Sequence, residues 1–370
     1  MLRQNEASLG DGVRQIVTLD HPAAPYLDDF PIKVHALGAR QKQTRAWWPR
    51  RYGYTPAYVR WLKAHVAEYD AVIVNGLWNY SSFGASRVLP NSGVPYFVFT
   101  HGMMDPWFRR THPFKHAIKQ MFWLVGEGRL LANARAVLFT CEEERLLARG
   151  EFFGHSYREI VVGYGAADVP PAAAAHADAF DAATPALLGR PFLLFLGRLH
   201  DKKGCDLLLS AFAQVAADAP ELDLVMAGPD QTGLLPRLKA QAKRLGIEAR
   251  IHWTGPLYAD AKWGAFRAAQ AFVLPSHQEN FGIAVAEALA CETPVLISDK
   301  VNIWREIKVA EAGYVEPDTL SGTVSLLRRW LSTGDVRRAA MGQAARGLFE
   351  EKFNVNKTGP ALLRMIESYL

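Results

Sequence analysis

One stretch constrains this chain more than any other, Ala271 to Asp299, reading AFVLPSHQENFGIAVAEALACETPVLISD. It places a short apolar strand (271–275), a polar break (276–280), a helix (281–290) and a second strand (294–298) in direct succession, which is the grammar of a parallel α/β sheet. Gly282 at the head of the helix lets a ligand approach the backbone. A helix that starts just after a strand's carboxyl end aims unpaired N–H groups and a positive dipole end out of the sheet. Open α/β sheets bind anions at that place.

Within the stretch, Glu279 and Glu287 are separated by seven residues. Glu279 falls in the loop, free to reach polyol hydroxyls. Glu287 falls about a turn and a half into the helix, and helical side chains lean toward the N-terminus, so it can aim at the same ligand. A carboxylate with two oxygens suits a vicinal diol. The bland alternative is a solvated helix face, but the neighbours of Glu287 from Ile283 to Ala290 are all apolar. A carboxylate among them needs a partner.

On these residues, HQENFGIAVAEALACETPVLISD closely resembles the Glu-x7-Glu signature of the retaining GT-B glycosyltransferases, which move sugars from nucleotide-sugar donors to glycans and lipids. The resemblance implies that Glu279 with the backbone of Asn280, Phe281, Gly282 and Ile283 holds the donor sugar, and that Glu287 holds the nucleotide ribose. It also implies a fold of two facing Rossmann-like parallel-sheet domains with a cleft between them.

Length agrees with two domains, since 370 residues suffice for two cores of ordinary size. No run approaches the roughly twenty apolar residues of a membrane span, and no signal-peptide pattern opens the chain, so the expected location is the cytoplasm. Cys141, Cys205 and Cys291 have neither disulfide nor zinc spacing and read as structural or incidental. The net charge of +5 is unevenly spread. Phe30 to Ala67 carries eight Lys or Arg and no acid, among Trp47, Trp48, Tyr52, Tyr54, Tyr58 and Trp61. Pro106 to Gly126, also free of acids, carries Arg109, Arg110, Lys115 and Lys119 beside Trp107, Phe108, Phe114, Phe122 and Trp123. A basic and aromatic composition suits an anionic membrane surface or an anionic lipid-linked acceptor; a solvated basic face over an aromatic core suits it equally. Nucleic acid is a weaker third reading, because no nucleic-acid module is present.

Taken in order, the N-terminal half alternates strands (13–19, 32–37, 71–74, 96–100, 136–140, 160–162) with helices (56–67, about 114–124, and from 142). Members of the resembled family open with a further strand, a glycine loop and a helix, and here Met1 to Gly10 reads as the tail of that helix. The first strand is therefore expected to be missing from the N-terminal sheet. Gly163 to Arg190 is rich in Ala, Pro, Gly and Asp without clear periodicity. The expected division is an acceptor-side domain over 1–170, a linker over 171–190 and a donor-binding domain over 191–354. The last helix, 355–370, is expected by resemblance to pack back on the first domain. Gly163-Tyr164-Gly165 replaces the family's Pro-Asn-Gly turn, so no ligand contact is carried over there.

Gly197-Arg198-Leu199-His200-Asp201-Lys202-Lys203-Gly204 follows the strand 192–196, placing an Arg fork and an ammonium at another strand end, a pair that suits a diphosphate. The pattern resembles the family's Gly-Arg and Lys-Gly motif, which implies that Gly197, Arg198 and Lys203 bind the donor diphosphate. Thr100 to Trp107, reading THGMMDPW, follows a buried strand. A lone histidine there is more often structural, but relatives imply one at this strand end facing the donor, so His101 is a catalytic candidate with Glu279. Trp78, Gly102, Asp105 and Trp107 are expected on the acceptor side. No Asp-x-Asp pair follows a strand end, so neither a metal nor any other cofactor is expected beyond the nucleotide-sugar co-substrate.

The expected reaction moves a hexose from a nucleoside diphosphate sugar to a glycan or lipid-linked acceptor; the resemblance implies retention of configuration, and the His101-Gly-Met-x-Asp-Pro-Trp107 pattern resembles a subgroup acting in bacterial surface-polysaccharide assembly. The competing readings are an epimerase or phosphorylase of the same fold, and a donor-binding or scaffold protein without turnover.

Overall fold

A chain of parallel strands must return over the sheet between each pair, and helices do this while covering the faces. The computed structural model describes residues 12–27, 30–38, 52–187 and 189–370, and every strand pairing among them is parallel. These residues divide into two units, one of 164–358 and one of 12–163 with 359–370.

The N-terminal unit begins with β1 (Gln15–Thr18) paired to β2 (Lys33–Ala36), followed by α1 (Pro56–His65), β3 (Val72–Asn75), α2 (Tyr80–Ser86) and β4 (Tyr96–Phe99). Then come α3 (Trp107–Thr111), α4 (Pro113–Phe122), a π-helical turn (Trp123–Glu127), α5 (Gly128–Asn133), β5 (Ala136–Phe139), α6 (Glu142–Ala148) and β6 (Glu159–Val161). Strands β3 to β6 form one sheet in sequence order. Period-two alternation sends Val98 and Phe139 to one face, with Tyr58, Leu62 and Trp123, and Phe97 and Leu138 to the other. Among the described residues no strand joins β1 to β3. A cavity of about 190 Å³ lies there, lined by Gln15 and Val17 on one side and Val72 to Asn75 on the other. The expectations for Met1 to Gly10 and for a unit ahead of Val13 lie outside the described residues.

Beneath this sheet, burial pushes the Glu127 carboxyl up to about 7, against the opposing hydrogen bond from Ser82 Oγ (3.3 Å). Its folded-state value exceeds the unfolded one, near 4.5, so folding takes up a proton here and stability falls as pH rises from that value to about 7. Glu127→Gln is expected to exceed wild type in stability by about 3 kcal/mol at pH 8, and by nothing measurable at pH 4. Denaturant midpoints at the two pH values check this, and an equal difference at both would refute it.

The C-terminal unit runs α7 (Ala174–Ala183), β7 (Phe192–Leu196), α8 (Cys205–Val215), β8 (Asp223–Ala227), α9 (Leu235–Arg244), β9 (Ile251–Gly255), α10 (Ala259–Ala268), β10 (Ala271–Leu274) and α11 (Ile283–Ala290). It continues with β11 (Val295–Ser298), α12 (Trp304–Ala310), β12 (Gly313–Glu316), α13 (Leu320–Leu331) and α14 (Asp335–Leu348). The sheet order is β12-β11-β10-β7-β8-β9. Chain order therefore reverses between β7 and β10, a topological switch point. The last helix, α15 (Val355–Glu367), puts Leu362 and Ile366 into the N-terminal unit's core, and Tyr369 meets Phe97 edge-on at 5.6 Å.

Two expectations about this half need correction. The stretch 171–190 is not a bare linker, because α7 within it buries His176 and Phe180 against α10. Gly264 makes that possible, since a Cβ there would lie 2.0 Å from the carbonyl oxygen of His176. The helix expected from Phe281 starts at Ile283, because Gly282 takes a left-handed φ of 74° just before it.

Candidate functional site

The switch point brings the two motif loops together. β7 and β10 are direct neighbours, with Leu193 opposite Ala271 and Leu194 opposite Phe272, so the loops leaving their carboxyl ends, 197–204 and 275–282, emerge side by side. Gly204 holds them in contact. Its φ is 64°, and a Cβ at this position would sit 2.1 Å from the carbonyl oxygen of Pro275. The backbone also joins the loops, His277 N–H donating to the Lys202 carbonyl at 2.8 Å.

Across this seam Lys203 Nζ forms an ion pair with Glu279, both side chains about four-fifths buried. Lys202 Nζ donates to Gln278 Oε1 at 3.1 Å. Burial, with the neighbouring Arg198 and Lys202 cations, pushes the Lys203 ammonium down to about 8. Arg198 is exposed, its guanidinium 3.4 Å from Gln231 Oε1. Close approach of β7 and β8 behind it is allowed by Gly228, where a Cβ would lie 1.8 Å from the Gly197 carbonyl oxygen.

The Glu279 loop is fixed from the other side as well. Glu279 N–H donates to the Lys300 carbonyl at 2.9 Å, Asn302 N–H donates to the Glu279 carbonyl at 3.0 Å, and Asn302 Nδ2 donates to Asn280 Oδ1 at 3.3 Å. Phe281 points inward, 5% exposed, edge-on to Tyr164 and Phe353 at 5.1 and 5.4 Å. Its side chain is therefore an anchor, and only its backbone is available to a ligand. Ile283, by contrast, is exposed at the first turn of α11.

Glu287 is not bare on its apolar helix. It accepts from Lys262 Nζ of α10 at 2.8 Å, and the same ammonium lies 3.8 Å from the Trp263 ring centre. Sequence reasoning missed Lys262, because its partner is twenty-five residues away on another helix. The only available hint was that a carboxylate set among apolar neighbours must be paired.

In the N-terminal unit the expected residues gather at the carboxyl ends of β3 and β4. His101 has φ 49° and Trp78 φ 64°, and positive φ in such bulky residues is a strained state that points to function. His101 stacks on Phe99 (5.2 Å), its Nε2 is 3.1 Å from Asn75 Oδ1, and burial pushes its pKa down, favouring the neutral ring. Glu144 clamps the turn. Fully buried, it accepts from Thr100 Oγ1 (2.6 Å), Gly102 N–H (2.5 Å), Thr140 N–H (2.8 Å) and Thr140 Oγ1 (2.7 Å). Glu144 was also missed, although an acid in the third position of α6 is a signal for a carboxylate that reaches back to the preceding backbone.

The acceptor-side residues are partly structural. Trp78 packs on Phe152 (5.0 Å) and Trp123 (6.3 Å), with Nε1 3.4 Å from the Met103 carbonyl oxygen. Asp105 is buried and accepts from Trp107 N–H at 2.7 Å, so it organises the start of α3. Trp107 itself is half-buried against Phe108 at 5.2 Å.

Comparison with known proteins adds to this geometry. Residues 178–348 match the family model described as glycosyl transferases group 1, and residues 2–165 match the glycosyl transferase 4-like domain. The D-inositol 3-phosphate glycosyltransferase of Rhodococcus erythropolis is 31% identical over 195 residues, 51% of this chain and 44% of the relative. The chain spans about half the length of the curated relatives it matches. Among solved structures, sucrose-phosphate synthase from Thermosynechococcus elongatus superposes with a TM-score of 0.79 at 19% identity, covering 100% of this chain and 91% of that one. Anabaena HepE in complex with UDP-glucose gives 0.74 at 16% identity, covering 100% and 95%. At such identities the likeness shows the fold, the GT-B class of two domains built on parallel sheets.

Proposed function

We propose that this chain, which carries a glycosyl transferases group 1 domain and a glycosyl transferase 4-like domain, moves a hexose from a nucleoside diphosphate sugar to a hydroxyl of a glycan or lipid-linked acceptor, with retention of anomeric configuration. The observation that carries the reading is the seam of the C-terminal unit. Two basic residues from the loop after β7 and a carboxylate beside a helix start after β10 meet at the switch point, with Lys203 already on Glu279. A diphosphate seated there meets Arg198, Lys203 and the N–H groups at the head of α11, a preorganised set for a leaving group that gains charge. Lys203 then trades its carboxylate for the diphosphate, and Glu279 becomes an acceptor for the sugar hydroxyls. Glu287, oriented by Lys262, takes the ribose diol.

In the transfer the acceptor oxygen bonds to the anomeric carbon as the bond from that carbon to the diphosphate oxygen breaks. The acceptor proton passes to the departing phosphate, which keeps attack and departure on one face. The fixed cations supply the neutralisation a metal would otherwise provide, so the reaction is proposed to run without one. His101 acts on the reacting sugar or phosphate from the N-terminal unit. A neighbour solved with UDP-glucose supports the donor class. Two acid-free stretches rich in basic and aromatic residues support an acceptor carried at an anionic membrane, and the transfer is proposed to serve assembly of a surface polysaccharide.

The test is release of nucleoside diphosphate from UDP-, GDP- and ADP-sugars in the presence of EDTA, with NMR of the product anomer. Turnover by wild type that Glu279→Gln lowers about a hundredfold or more is expected for a residue that binds the reacting sugar. No turnover with any donor in the presence of glycan and lipid-linked acceptors would sink the activity, and an inverted product would sink the retention.

A further inference from the structure

Helix α4 is turned inside out. In an ordinary surface helix the apolar residues at i, i+4, i+7 and i+11 face the core. Here Phe114, Ile118 and Met121, with Val125 in the π-helical turn that follows, share one face by that spacing, and they are 79%, 42%, 68% and 67% exposed. His116 and Lys119 face the protein instead, beside Phe122, which meets Tyr52 and Phe83. His116 stacks on Phe152 at 4.8 Å, the Lys119 ammonium lies over the Phe108 and Trp78 rings at 4.3 and 5.1 Å, and no residue of α4 itself is buried. The fully buried anchor comes one residue later, at Trp123.

Phe153 extends the exposed stripe. It is 69% exposed and tied to the helix by a pair of hydrogen bonds, Gln120 Nε2 to its carbonyl oxygen (3.0 Å) and its N–H to Gln120 Oε1 (3.2 Å). Its neighbour Phe152 turns inward onto Trp123, at 5.0 Å. Charge around the stripe has one sign. Arg110 and Lys115 are exposed beside it, the segment 106–126 has no acid, and the nearby Glu151 is buried and paired to Arg109 at 3.2 Å. Aromatic and aliphatic side chains held outward, with cations at their rim, complement the acyl boundary and the headgroups of an anionic bilayer.

We infer that the outer face of α4, with Phe153, is a docking surface that inserts into the headgroup region of an anionic membrane. The inference rests on the reading of the acceptor as membrane-linked and names the face that meets the lipid. Its assay is independent of the donor site, so either can fail alone.

The experiment is co-sedimentation of the full chain with vesicles of phosphatidylglycerol and phosphatidylcholine, compared with phosphatidylcholine alone, beside light scattering for mass. Wild type is expected to pellet with the anionic vesicles, less so at high salt. The Ile118→Asp/Met121→Asp variant is expected to lose about tenfold or more of its partitioning, with its melting temperature and its nucleotide response unchanged. Phe114→Ser, on the most exposed position, gives a second reading should the double variant fold poorly. Wild type remaining in the supernatant, variants that pellet as well as wild type, or a wild-type dimer that the substitutions make monomeric would each overturn the inference. The last outcome would assign the face to a second copy of the chain.

Discussion

Lys203→Ala lowers nucleoside diphosphate affinity by about thirty- to a hundredfold at pH 7, the loss expected when a charge-assisted contact to a phosphate is removed from a part-buried site. It has a second effect in the free protein, because Glu279 then lacks the partner it has across the seam. Lys203→Ala is therefore expected to melt below wild type, and adding Glu279→Ala should restore part of that loss without restoring binding. The pH dependence follows from the same group. Below about 8 Lys203 is charged and meets the diphosphate as a cation; above it, binding must first take up a proton. Wild-type affinity should fall by up to about tenfold per pH unit above that value, until the bound-state pKa is reached. Lys203→Ala should lack this limb. Calorimetric titration at pH 7 and 9 reads both effects, and a variant that kept the wild-type slope would remove Lys203 from the site.

Glu144→Ala is expected to destabilise the N-terminal unit by more than about 4 kcal/mol, because four donors from the ends of β4 and β5 lose a buried acceptor together. Glu144→Gln keeps the shape and one carbonyl oxygen but turns an N–H₂ toward donors. It should fold with intermediate stability. Since Glu144 grips Thr100 and Gly102 on either side of His101, the glutamine variant should lower kcat with little change in donor affinity. This is the signature of a positioning residue. Denaturation with kinetic analysis of both variants checks the prediction; an unchanged kcat in a stable Glu144→Gln protein would refute the positioning role.

The parts that were legible in the sequence share a physical origin. Buried parallel strands such as Phe192–Leu196 and Ala271–Leu274 are continuous apolar runs, and the glycines bounding their loops mark turns that only glycine can make. Gly204 and Gly282 both have positive φ, so the loops at the switch point are legible in the sequence. What was not legible depends on contacts between distant segments. Helix α7 carries mostly Ala and Asp, and its two inward residues, His176 and Phe180, find a surface only because Gly264 lies far along the chain on α10. The Lys262–Glu287 pair has the same character, joining two helices whose spacing encodes nothing. The stripe on α4 has the periodicity of a core helix, and pattern alone does not say whether such a face turns in or out. Asp105, expected toward the acceptor, is a carboxylate whose backbone partner two residues later was available all along.

The central claim is that the seam at the β7 and β10 ends is a nucleoside diphosphate site. It is tested most directly by a thermal-shift titration of the purified chain with UDP, GDP and ADP in EDTA, repeated with Arg198→Ala. A ligand that binds only the folded state raises its melting temperature. The account predicts that one of the three stabilises wild type in a saturable manner and that Arg198→Ala weakens this effect. No shift with any of the three, or an equal shift in wild type and Arg198→Ala, would contradict it.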